Sequence, residues 1–154
     1  MKRVPLVAVA LLLLCGIAAA VGDAKQDKVK QETKILEGTW KITAAEAGGR
    51  NVEPEKLGVE QVIFAGDRVL LKRQGKEVGN YAYTVDPAKK PRQMNWLEGK
   101  DRVAVPLIYE VDGDDLKLCR PIPTSVEFIR NRRPGGFVTK GQPMILLTGK
   151  REKK

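Results

Sequence analysis

Leu36-Glu37-Gly38-Thr39-Trp40-Lys41 opens the first strand of this chain, and that strand sets the reading of everything after it. Over residues 39–44 the side chains alternate, with Trp40, Ile42 and Ala44 on one face and Thr39, Lys41 and Thr43 on the other, the period of a half-buried strand. Gly38 has no Cβ, so it lets the chain bend tightly into the strand or lets another group come close.

Working outward toward the C-terminus, the same period recurs. Gly48-Gly49-Arg50-Asn51 reads as a turn, and Pro54 blocks a regular ladder, which makes residues 52–58 a loop with room for one helical turn. Residues 60–64 and 69–73 form a hairpin around Ala65-Gly66-Asp67-Arg68. After Gln74-Gly75-Lys76, residues 78–85 place Tyr81, Tyr83 and Val85 on one face, and Asp86-Pro87 ends that strand. Residues 92–97 carry Met94 and Trp96 on one face. Val103, Val105, Leu107, Tyr109 and Val111 keep period two, although Pro106 suggests an edge or a bulge. Asp112-Gly113-Asp114 turns the chain into a strand with Leu116 and Leu118 on the core and Lys117 and Cys119 on its other face. A weaker strand is read at residues 126–130, a long irregular stretch at 131–143 is the expected place for mobility, and residues 144–148 close the series.

About nine short strands separated by turns predict an all-β fold, an antiparallel sandwich or up-and-down barrel. The barrel is favoured, because neighbours in sequence can pair in the sheet and closure removes exposed edges.

Upstream, Lys2 and Arg3 precede the apolar run at residues 4–17, and Ala18-Ala19-Ala20 follow, the three parts of a secretory signal peptide. Cleavage fits after Ala20, or after Gly22. A second reading acylates Cys15 as a lipoprotein anchor, against which stands the bulky Leu14 just ahead of it. The domain plan is a signal peptide (1–20), a polar linker or short helix (21–35), a barrel domain (36–151) and a charged tail (152–154). The expected short helix is capped by Asp27 or Asp23 and lays Val29 and Leu36 on the barrel. No transmembrane segment is expected in the mature chain, which reads as an exported, periplasmic or extracellular monomer.

The net charge of +9 favours anionic partners such as an envelope polymer, but no arginine-aromatic block resembles a nucleic-acid module, and no nucleic acid is expected. Histidine is absent, which removes the commonest general base and metal ligand and every Ser-His-Asp or Cys-His arrangement. No catalytic residue, metal or cofactor is assigned. Asp112, Asp114 and Asp115 crowd one turn, where aspartates suit the backbone and no calcium-loop spacing follows. Once the leader is removed, Cys119 is the sole cysteine and is read as packed.

The opening motif, the turn Asp86-Pro87-Ala88-Lys89-Lys90-Pro91, the run from Ile108-Tyr109-Glu110-Val111 through Leu116-Lys117-Leu118-Cys119, and the final strand ending in Lys150-Arg151 together resemble an uncharacterised family of small secreted domains from planctomycete bacteria. The resemblance covers residues 36–151. The same features are similar to the lipocalin and fatty-acid-binding group, and that resemblance implies a lipocalin-like barrel of eight to nine strands in which Gly38 and Trp40 open the first strand and Arg151 or Lys150 caps the ring. The stretch at 130–143 departs from the family, where a shorter turn is expected, and so leaves the pairing of the last two strands open. If the alternation holds, Trp40, Phe64, Tyr81, Tyr83, Trp96 and Tyr109 point inward, either lining a pocket for a small apolar ligand or filling a solid core. The expected function is non-enzymatic binding of a small apolar molecule or a macromolecular partner; the alternative is an envelope module that holds anionic polymer on its basic surface.

Overall fold

The computed structural model describes residues 18–122 and 132–153; the apolar leader with Cys15 and the strand expected at 126–130 lie outside the described residues. In chain order the elements are α1 (Ala18–Leu36), β1 (Gly38–Ala47), β2 (Arg50–Val52), α2 (Pro54–Leu57), β3 (Gln61–Ala65), β4 (Arg68–Arg73), β5 (Lys76–Asp86), β6 (Arg92–Glu98), β7 (Val103–Asp112), β8 (Asp115–Pro121) and β9 (Met144–Arg151). Every pairing is antiparallel, and β1 pairs with both β3 and β9, so eight strands close into an up-and-down barrel. The ninth strand, β2, hangs on the far half of β1.

Closure depends on how β1 divides its two edges. Its first residues pair with β3, Gly38 opposite Phe64 and Trp40 opposite Val62, while residues from Trp40 to Ala47 pair with β9, Trp40 opposite Arg151. Between Ile42 and Ala44 the register against β9 shifts, a bulge that inserts one residue and reverses the alternation beyond it. Ala45, not Ala44, therefore turns into the core. Gly48 and Gly49 make the expected turn, but the chain returns as the strand β2, because Arg50, Asn51 and Val52 find partners on β1 ahead of Pro54.

Inside the barrel the inward positions of all eight closing strands are filled by large side chains, among them Trp40, Phe64, Met94, Trp96, Leu107, Tyr109, Leu116 and Leu118. Burying each aliphatic or aromatic group of this kind contributes about 1.5 to 3 kcal/mol. The turns that join consecutive strands keep neighbours in sequence adjacent in the sheet.

The segment from Arg132 to Pro143 is more than a connection. It packs on the outside of β7, β8 and β9, where Phe137 lies against a second buried cluster of Ile108, Cys119 and Met144. Thr139 is fully buried, accepts from Gly49 N–H at 2.9 Å and donates to the Glu46 carboxylate. Arg133 donates to Met94 O at 2.9 Å, to Leu107 O at 2.6 Å and to Asn95 Oδ1 at 2.5 Å. Pro106, paired opposite Asn95, has no N–H to give the ladder, and the Arg133 guanidinium supplies donors beside that gap. The long connection leaves β8 and β9 paired from Asp115–Lys150 to Pro121–Met144.

Candidate functional site

One end of the barrel is sealed. The helix α1 ends just before β1, and its last carbonyls would lack partners without help. Trp40 Nε1–H donates to Leu36 O at 2.8 Å, and the two terminal nitrogens of Arg151 donate to Ile35 O and Glu37 O, each at 2.6 Å. The same guanidinium lies 4.1 Å from the centroid of the Trp40 ring, with Asp114 Oδ1 3.6 Å from its Nε. A cation at a helix C-terminus also complements the negative end of the helix dipole. Gly38 has φ +125°, and a Cβ there would stand 3.1 Å from the guanidinium, so glycine serves both the backbone angle and the close approach.

The helix passes straight through Asp23 and Asp27 instead of starting at either. Its inner side carries Val29, Glu32, Thr33 and Leu36, spaced as one helical face, and Leu36 is fully buried. Glu32 is a buried carboxylate on that face, neutralised by Arg92 Nη1 at 2.8 Å. Beneath it the buried Tyr109 hydroxyl closes no hydrogen bond among the described residues. Burial, followed by the Glu32 charge, pushes the Tyr109 phenol far above its ordinary range. Phe64 and Tyr83 meet edge to face at 5.2 Å, and the Tyr83 hydroxyl donates to Gly66 O at 3.0 Å.

At the opposite end the barrel has an open mouth. A cavity of about 180 Å³ is bordered by Leu57 and Val59, from α2 and the residues after it, by Leu71, Trp96, Ile145 and Leu147, and by Arg120. Trp96, fully buried in the core, borders this cavity and donates its own N–H to Met94 Sδ at 3.0 Å. Tyr81 stacks on Trp96 at 5.9 Å between centroids, and the Arg120 guanidinium lies 5.4 Å from the same ring. The Arg120 side chain is 13 % exposed and sits 3.6 Å from a Glu98 carboxylate oxygen. Its Nε is buried and has no hydrogen-bond partner among the described residues. Desolvation lowers the Arg120 pKa, opposed by the Glu98 charge, and Tyr81 is raised by burial and then by Glu98.

The six aromatics expected to point inward therefore divide between the two ends. Trp40, Phe64, Tyr83 and Tyr109 lie in the packed core toward α1, while Trp96 and its neighbour Tyr81 lie at the mouth. Arg120 escaped the sequence reading, and Glu98 was weighed there only with Glu60, Glu77 and Glu110 as a carboxylate whose spacing suggests no glycosidase pair, although each continues an inward series by two residues, Leu116-Leu118-Arg120 and Met94-Trp96-Glu98. A charged residue at the end of an apolar alternation reads as the strand leaving the core, so the signal was present but carried the opposite meaning. Around the turn of β7 and β8, Asp115 pairs with Lys150 at 2.5 Å and Asp114 faces Arg151 and Lys153. Among the described residues no three acidic or cysteine side chains converge in a metal-holding group. Cys119 is fully buried on the outer face of β8, and burial, aided by the Glu46 charge, pushes its thiol up to about 11.

Comparison with protein-family models, with curated proteins and with solved structures finds no match for this chain. Among the described residues no helix is long and apolar enough to cross a membrane.

Proposed function

We propose that this chain is an exported, non-enzymatic barrel that binds a small apolar molecule at the mouth bordered by Trp96. The observation that carries the reading is the contrast between the ends: one is closed by α1, Trp40 and Arg151, the other keeps an apolar cavity that Trp96 borders. A volume of about 180 Å³ is below the roughly 300 Å³ at which drug-sized pockets begin, so the mouth suits a small molecule or one end of a longer one. Export is supported by Lys2 and Arg3, the apolar run at 4–17 and the alanines after it. The opening Gly38-Thr39-Trp40 and its arginine partner support a lipocalin-like kinship and the assignment to the planctomycete secreted domains.

The test follows two indole N–H resonances. Titration with toluene should move the Trp96 signal and leave Trp40 in place, and Leu147→Trp, which fills the mouth, should abolish the change. Movement at Trp40 alone, or none at either indole, would reject the mouth as the site.

A second reading, the envelope module, is supported by an outer cleft of about 500 Å³ lined by Arg68, Lys100 and Arg102 together with Asp67. Binding of an anionic polysaccharide there should weaken steeply with salt, whereas an apolar ligand in the mouth should be nearly indifferent to it.

A further inference from the structure

The outer cleft gathers three cations that no carboxylate of the described residues pairs. Arg68 on β4 stands opposite Ala82 on β5, and Ala82 opposite Leu97 on β6, so one row on the outside of the barrel runs from a guanidinium over two apolar side chains. These residues border the cleft together with Asn80, Asp67 and the turn that carries Lys100 and Arg102. Asn80 fixes the Arg68 guanidinium, because its Oδ1 accepts from Nε at 2.8 Å and from Nη2 at 2.5 Å; being neutral, it cancels no charge. Arg68 Nη1 keeps no partner among the described residues. Lys100, Arg102 and Asp67 make no ion pair or side-chain hydrogen bond among the described residues. Arg102 also holds φ +50°, a left-handed conformation that glycine or asparagine adopts more readily, so the turn keeps a cation where its backbone favours another residue.

All four charged residues are exposed and open to a ligand as they stand. Water satisfies their hydrogen bonds but not the mutual repulsion of three cations around one cleft of about 500 Å³, which an anion relieves. Asp67 narrows the choice. An ionised carboxylate only accepts, so a polyanion without hydroxyls displaces its water, gives it no donor and repels it. A sugar that carries an acid group among hydroxyls answers both sides, and its C–H face suits Ala82 and Leu97. We propose that the outer cleft binds a short segment of an acidic sugar chain, with one monoanionic group per sugar, whose acid groups pair with Arg68, Lys100 and Arg102 while a hydroxyl donates to Asp67. This inference rests on the cleft being the site of the envelope-module reading. Three cations against one carboxylate match two such acid groups, and the volume lies within the roughly 300 to 1,000 Å³ of ligand pockets.

Three probes separate the possibilities: tetragalacturonate; its methyl ester, which keeps the hydroxyls and loses the charge; and butanetetracarboxylate, which keeps four carboxylates and has no hydroxyl. Each is titrated into isotope-labelled protein at low ionic strength while the Arg68 Nε–H and Trp96 indole resonances are followed. Tetragalacturonate is expected to move Arg68, to leave Trp96 in place, and to bind on the order of tenfold more tightly than either control. Asp67→Ala should weaken tetragalacturonate about fivefold and tighten butanetetracarboxylate, opposite signs that a general charge effect does not produce. The comparison of probes in the unmutated protein needs no variant to fold. Equal affinity for tetragalacturonate and butanetetracarboxylate, or tightening of both by Asp67→Ala, overturns the hydroxyl role and leaves a general anion cleft. Equal binding of the methyl ester overturns the pairing of acid groups with the cations. If tetragalacturonate leaves Arg68 unmoved, the cleft is not the site, and the envelope-module reading falls with the inference.

Discussion

At the residue scale the closure is a three-way arrangement of Gly38, Trp40 and Arg151. Trp40→Ala removes a fully buried aromatic and one helix-end hydrogen bond, and should cost about 3 to 5 kcal/mol in denaturant unfolding. Arg151→Ala loses a cation over the ring and two donors to carbonyls, so about 1 to 3 kcal/mol is expected. The double mutant should lose less than the sum by about 0.5 to 2 kcal/mol, because either single change already breaks the shared contact. Strict additivity would show that the ring and the guanidinium do not stabilise each other. Arg151→Lys should recover only part of the loss, since an ammonium lacks the planar fork that reaches two carbonyls at once.

At the scale of elements, the segment over the outer face explains how β7 tolerates its proline. The β7 residues are buried on both faces through their middle, the inner by the barrel core and the outer by the packed connection. Arg133→Ala should destabilise by about 1 to 3 kcal/mol, because two strand carbonyls lose charged donors, and amide exchange should accelerate first along β6 and β7. Unchanged exchange there would mean that Arg133 is only a surface group. Sequence reading assigned mobility to this region from its prolines and glycines, which report backbone freedom but not what the few apolar residues among them find to cover. Phe137 and Thr139 acquire their roles only from β-strands distant in the chain.

For the whole molecule, the groups that are neutral when protonated, the thiol and the phenols, share one direction, while desolvation lowers the Arg120 and Arg133 guanidiniums. Cys119 is pushed from its ordinary 9 up to about 11, and Tyr81, Tyr83 and Tyr109 all rise from 10, burial being the leading cause in each. These groups are neutral when protonated, so above about pH 9 the unfolded chain gives up protons that the folded barrel keeps. Stability should therefore hold below pH 9 and fall as pH climbs toward 11 and beyond, read as a falling denaturation midpoint. In the folded protein the Cys119 thiol should react about 100-fold more slowly at pH 8 than after unfolding, from its thiolate fraction alone. A midpoint flat from pH 8 to 11, or equal labelling rates, would contradict the burial of these groups. Period-two alternation, with glycine and proline at the turns, located the eight closing strands and favoured a barrel over a sandwich, because those patterns are local and closure buries one face of each strand without leaving edges; β2, read as turn and loop, and the pairing of β8 with β9 came from the tertiary structure. The bulge that turns Ala45 inward, the pairing of Glu32 with Arg92, the strap of Arg133 and Phe137, and the meeting of Arg120 with Trp96 and Glu98 were decided by tertiary structure alone. Each depends on which distant strands become neighbours after closure, and that is a property of the three-dimensional register, not of any window of the chain.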